Sequence, residues 1–480
     1  MISLKSSSKK IVLFLAAILM VAGVSAEAQT FTLLDSFDVA DGSESIASLV
    51  QAIDGNFYGT TIYGGIYNGG TIFRVTPGGT LTAIYSFCAV SGCPDGSQPY
   101  SALVLGPDNA LYGTTMIGGA SNYGTVFRIS LNGTLTTLHS FALSDGSSPQ
   151  GGLVLGSDGN FYGTTLNGGS SSYGVIYNIT PGGTFTVLHN FTASSTDGGT
   201  PFSAPMQASD GNFYGVTWVG GRGYGIIYKL TLSGTFSVFH RFCQHAQCSD
   251  GGYPLGGITQ NTNGNLYGTT TNANGFSPGT IYKITLGGAF TALYSFCSVT
   301  GCADGVSPLS RMELGTNGEF YGTTNFGGSS LCSGGCGTLF AFTPAGTLTT
   351  IYTFCTISGC PDGDYPQNQG LIQGTNGSFY GAVPFGGFGN VGTVFKVSVG
   401  LHSFVRTNPT SGAVGSTVTI LGNGLNSAST VTFDGIGATF TAGSNTYLTA
   451  VVPAGATSGQ VKVVTSSGTL KSNQSFRILP

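Results

Sequence analysis

Charged side chains are scarce in this sequence, at 7% of 480 residues, and the formal net charge is −4. Phosphate binding depends on clustered Lys and Arg, so a chain with no basic patch is not built for nucleic acid. Disorder is excluded as well. It requires low hydrophobicity and high charge, whereas hydrophobic residues are 40% here and aromatics 11%. After the first 24 residues no apolar run is long enough to span a bilayer. Common active-site signatures are missing: there is no HExxH, no GxSxG and no P-loop. His139, His189 and His240 share one repeat position that tyrosine fills elsewhere and read as packing residues, and no segment clusters the oxygen ligands that calcium takes. These absences assign no catalytic residue, no metal and no cofactor.

The chain is instead rich in glycine, at 80 residues, and in Tyr and Phe, at 22 and 32. That composition suits many short strands joined by tight turns. The N-terminus reads as a signal peptide over residues 1–28. Lys5, Lys9 and Lys10 form a basic region, Ile11 to Val24 an apolar one, and Ala26-Glu27-Ala28 a cleavage site. Cleavage there removes three bases and Glu27, taking the net charge from −4 to −6. The expected location is therefore secreted or cell-surface.

The ten cysteines agree with export. They fall into close pairs: Cys88/Cys93, Cys243/Cys248, Cys297/Cys302, Cys332/Cys336 and Cys355/Cys360. Four pairs share C-x4-C spacing at one point of a repeat, and equivalent loops lack both members. Cysteines that come and go together are expected to bond to each other, as an oxidising compartment allows. Zinc, which takes four ligands, is the alternative.

Internal repetition dominates the rest. A Tyr-Gly landmark recurs at Tyr58, Tyr112, Tyr162, Tyr214, Tyr267, Tyr321 and Tyr380. Each unit carries four strand-like runs. In the second unit these are Leu103–Leu105, Leu111–Thr115, Gly124–Ser130 and Thr134–Phe141, parted by turn signals. The seventh unit stops after its third run, and the missing fourth appears at the start of the mature chain as Phe31 to Phe37. An open solenoid has no reason to split a unit in this way; a ring does, because it protects the edges. The expectation is an all-β chain: a seven-bladed β-propeller over residues 29–400, closed by an N-terminal strand. A C-terminal Ig-like β-sandwich follows over residues 404–480.

The recurring Gly-Asn-Phe-Tyr-Gly-Thr-Thr … Gly-Gly … Gly-Thr-Val-Phe pattern resembles the bacterial GloVer tandem-repeat proteins, which carry various C-terminal surface anchors. The resemblance covers roughly residues 30 to 400 and implies an exported bacterial protein, with no activity attached. Residues 404 to 478, with Pro409-Thr-Ser-Gly412 and Val431-Thr-Phe-Asp-Gly435, resemble an IPT/TIG domain.

Most acids belong to the repeat. Asp41, Asp95, Asp145, Asp197, Asp250, Asp304 and Asp362 share one loop position, and Asp54, Asp108, Asp158 and Asp210 share a turn. Residues that recur in every unit are read as structural. The remainder of the mature chain, Asp35, Asp38, Glu44, Glu313, Glu319, Asp364 and Asp434, offers no evident catalytic pair. One face of the propeller would carry uniform tight turns, and the other the variable, cysteine-bearing loops where binding is expected. Its aromatics are the candidate ligand contacts: Tyr63, Tyr67, Tyr123, Tyr173, Trp218, Tyr224, Phe276, Phe326, Phe385 and Phe388. The functional expectation is a non-catalytic binding or structural protein that recognises an extracellular glycan or a surface protein. The alternative is an extracellular polysaccharide-active enzyme.

Overall fold

The computed structural model describes residues 29–480 apart from 245, 272–277 and 368–369. The expected signal peptide lies outside the described residues. Those described form β-strands and one-turn 3-10 segments, without an α-helix among them, and none of their helices is long and apolar enough to cross a membrane.

Among the described residues, seven four-stranded antiparallel sheets lie between Thr30 and Ser398. The second comprises Val104–Leu105, Leu111–Thr115, Thr125–Ile129 and Leu135–Ser140, each strand bonded to the next in sequence. The seventh is assembled from both ends of the repeat region. Thr30–Ser36 pairs with Thr393–Ser398, which continues to Phe379–Val383 and Ile372–Gln373.

The repeat signature has a packing cause. The landmark glycine lies under an aromatic ring from the third strand, so that a methyl group on Gly113 would sit 2.6 Å from Phe127 Cζ. The last Thr of the second strand meets the first Thr of the third with both hydroxyls buried, as in Thr115 Oγ1 to Thr125 Oγ1 at 2.8 Å. The first turn is held by the landmark tyrosine. Tyr58 and Tyr162 donate their hydroxyls to Asp54 and Asp158, four residues earlier, at 2.8 and 2.9 Å.

Apolar side chains gather between sheets, and each of seven clusters draws on two consecutive ones. Tyr58 and Ile72 of the first meet Leu111 and Phe127 of the second. The last cluster joins Phe57 and Phe73 of the first sheet to Tyr380 and Val394 of the seventh. There the Phe57 and Tyr380 rings stack with centroids 3.9 Å apart.

Beyond Phe404 the chain forms two further sheets facing each other. Val418, Ile420 and Leu448 of one enclose a single core with Val431, Val461 and Phe476 of the other. This sandwich lies against the turn-bearing face of the repeat region. Thr446 Oγ1 donates to Ile53 O (2.6 Å), Asn408 Nδ2 to Gly106 O (3.2 Å), and Asn423 Nδ2 to Thr375 Oγ1 (3.1 Å). Arg477 reaches the fourth sheet, where a methyl group on Gly211 would lie 2.8 Å from its Nη1. The sandwich thus contacts the first, second, fourth and seventh sheets.

Candidate functional site

The repeated carboxylates are occupied locally. Asp95, Asp304 and Asp362 accept the hydroxyls of Tyr85, Tyr294 and Tyr352 at 2.7 to 2.9 Å. Asp145 and Asp197 face His139 Nε2 and His189 Nε2 at 3.1 Å, and Asp250 lies 3.8 Å from His240 Nε2. Each histidine ring also stacks on a Phe of the following sheet, as His139 does on Phe185 at 3.9 Å. These are loop clasps, one in each of the first six sheets, and not a converging cluster. Burial lowers the pKa of His139, against the pull of Asp145.

The cysteines are joined as five short disulfides: Cys88–Cys93, Cys243–Cys248, Cys297–Cys302, Cys332–Cys336 and Cys355–Cys360. In the four C-x4-C loops both cysteines have φ between 45° and 71°, a left-handed conformation that a non-glycine residue holds only under constraint. The carboxylates of Asp95 and Asp362 accept the backbone N–H of Cys88 and Cys355, so clasp and bridge fix the same loop.

The predicted aromatics divide. Trp218 and Phe326 come together with Phe202 and Tyr253 around a depression of about 410 Å³. The Trp218 ring lies 5.9 Å from Phe202 and 5.8 Å from Tyr253, and Tyr224 backs Tyr253 at 5.3 Å. Tyr123 packs into the cluster between the second and third sheets. Tyr63, Tyr67, Tyr173, Phe385 and Phe388 are not among the residues lining this depression. Phe276 lies outside the described residues.

Phe202, Leu255 and Leu309 line both the depression and a second cavity of about 420 Å³, enclosed by the segments that open each sheet. Arg406, Asn408, Leu421 and Gln474 of the sandwich line that cavity too. This lumen thus adjoins the aromatic depression, its mouth, and is bordered by the sandwich. Two arginines and one glutamate line it. Arg406 Nη2 donates to Glu313 Oε1 (3.1 Å) and to Gln373 O (2.8 Å). Arg311 donates Nε–H to Thr259 Oγ1 (3.1 Å). Arg311 is exposed in the lumen; the protein around it lowers its pKa, and Glu313 counters that. The base remains a cation, since guanidinium titrates far above neutrality.

Phe202, Tyr253 and Arg311 are absent from the sequence-derived candidates. Sorting the acids by repeat position leaves Glu313 among seven unrepeated ones, and the same sort of the bases leaves Arg311 beside Arg222 and Arg241 in the repeat region. Nothing comparable marks Phe202 or Tyr253 as convergent, because their loops differ in sequence.

Fold and site together define an all-β, β-propeller-like protein with a lumen open at an aromatic mouth. The chain belongs to the Gloeobacter/Verrucomicrobia repeat family, whose model matches residues 21–224 and 203–443. No curated protein matches it. Among solved structures it is similar to virginiamycin B lyase from Staphylococcus aureus, at 15% identity and a TM-score of 0.51 over 77% of this chain and 99% of that one. It is also similar to the extracellular domain of a hybrid two-component system from B. thetaiotaomicron. There the identity is 11% and the TM-score 0.50, over 92% of this chain and 46% of that one.

Proposed function

We propose that this is an exported, closed seven-bladed propeller with an Ig-like C-terminal module of the IPT/TIG kind, and that it binds a glycan at its cysteine-bearing face without turning it over. The convergence of Trp218, Phe202, Tyr253 and Phe326 on one depression carries the reading. Flat aromatic faces stack on the apolar faces of sugar rings, and concave sites lined by a few such rings are the usual ligand seats. Seven inter-sheet clusters and the composite seventh sheet support the closed ring, and five disulfides support an oxidising compartment.

The non-catalytic reading rests on the carboxylates. Glycoside hydrolysis takes two of them. Glu313 is the single acid among the described lumen-lining residues, and Arg406 holds it. A polysaccharide-active enzyme remains the second reading, favoured by the closeness of Arg311 and Glu313 in the lumen.

A glycan array read with the wild type and with Trp218→Ala tests the proposal. Binding that falls at least tenfold in the variant, with the melting temperature unchanged, supports it. An empty array, or equal binding by the variant, refutes it, and turnover of a bound polysaccharide favours the enzyme.

A further inference from the structure

Arg311 breaks the repeat at a position that small residues hold in every other unit. It stands eleven residues before the landmark glycine, Gly322. The same position in the other six units holds Ser48, Ala102, Gly152, Ala204, Gly257 and Gly370. Five of those six residues line the lumen beside Arg311. The neighbourhood is close: a methyl group on Gly257 would lie 3.4 Å from Arg311 Cδ. Small residues from the other sheets leave room at the axis, and one sheet fills part of it with a guanidinium.

The charge there is unbalanced. Glu313 Oε1 already accepts Arg406 and the backbone N–H of Gln373. Among the described residues no carboxylate lies within ion-pair distance of Arg311, whose Nε is satisfied by Thr259. Two cations and one anion leave the lumen with a net positive charge in a chain whose overall charge is −4. Arg311 is exposed within the lumen, so its guanidinium is open to a ligand, and its planar fork matches a carboxylate. The aromatic mouth shares Phe202, Leu255 and Leu309 with this lumen, so a sugar stacked at the mouth adjoins the cation.

We infer that Arg311 is an anion-recognition residue, and that the glycan bound at the mouth carries a carboxylate, as uronic-acid chains do. The inference rests on the glycan-binding reading above and deepens it.

The test is calorimetric titration of the full chain with fragments of polygalacturonate, polyglucuronate and alginate, each as the free acid and as the methyl ester, with neutral galacto- and gluco-oligosaccharides alongside. Esterification removes the charge and keeps the ring. At least one free acid is expected to bind roughly tenfold to hundredfold more tightly than its ester, the range of a hydrogen-bonded charged group. In Arg311→Ala acid and ester should bind alike. That variant is built to fold, because Ala already stands at positions 102 and 204. Acid and ester binding the wild type equally, a preference that survives Arg311→Ala, or binding of neutral fragments alone overturns the inference and leaves the glycan-binding reading intact. If no fragment, charged or neutral, binds the wild type, both fall.

Discussion

Leu33 lies directly opposite Phe395 in an antiparallel ladder, although nearly the whole repeat region separates them in the chain. The register then skips Leu34, so that Asp35 faces Val394. The second sheet makes the same skip, with Thr137 opposite Phe127 and His139 opposite Val126. The N-terminal strand therefore copies the bulge of strands that are continuous with their sheets, which a loosely docked segment would not do.

That register puts Asp35 where other sheets have His or Tyr, and its clasp partner is another acid, Asp41. Burial raises the Asp41 pKa, and Asp38 and Asp35 raise it further. A carboxylate with a raised folded-state pKa favours the fold when protonated, so this contribution weakens as pH rises above 3.8. Asp35→Tyr recreates the Tyr85–Asp95 clasp. It should raise stability at pH 7 by about 1 kcal/mol in urea unfolding. A decrease would remove the clasp interpretation.

Asp304 behaves in the opposite sense. Burial raises its pKa, but hydrogen bonds from Tyr294, Ser298 and Val299 outweigh this and hold it below 3.8. Its stabilisation is present above that value and is lost as pH falls through the folded-state pKa. Asp304→Asn should destabilise by about 1–3 kcal/mol at pH 7, and the gap from wild type should narrow in acid. Thermal melts from pH 7 down to pH 2.5 check this; a gap that stays constant contradicts it.

Tyr228 is fully buried, and its hydroxyl has no hydrogen-bond partner among the described residues. Phe73, Phe127, Phe340 and Phe395 occupy the same position elsewhere in the repeat. An unsatisfied buried donor is unfavourable, so Tyr228→Phe should stabilise by about 1 kcal/mol. A loss of stability in chemical unfolding would mean that the hydroxyl is bonded.

The Cys297–Cys302 bridge closes a short loop with both ends in the left-handed region. Replacing both cysteines by Ser should lower stability by about 2 kcal/mol on the chain-entropy account. The landmark Tyr267–Phe320 contact between the fifth and sixth sheets should survive. A double variant as stable as wild type would show that the Asp304 clasp alone sets the loop.

Strands, turns and cysteine pairs were legible in the sequence because each is a local pattern repeated several times. Leu111–Thr115 forms a strand with the bounds its pattern predicts, and Gly124–Ser130 yields one residue at each end to its turns. The pairing of the two ends of the repeat region is legible from one missing strand. The site was legible only in part. Trp218 and Phe326 stood out as loop aromatics, but so did Tyr63 and Phe388, and nothing local distinguishes rings that converge from rings that do not. The position of the sandwich beside the lumen was not legible either, since it depends on single contacts such as Thr446 to Ile53 that leave no pattern.

The ring on which the lumen depends can be tested by removing its closing strand. A chain lacking residues 29–37 should melt lower and less cooperatively than the full chain, with Phe395 and Phe57 exposed. A synthetic peptide of residues 30–37 added in trans should raise the melting temperature again, in step with the logarithm of its concentration once that exceeds Kd. If the shortened chain melts like the full one and ignores the peptide, the ring is not closed by that strand, and the lumen loses its basis.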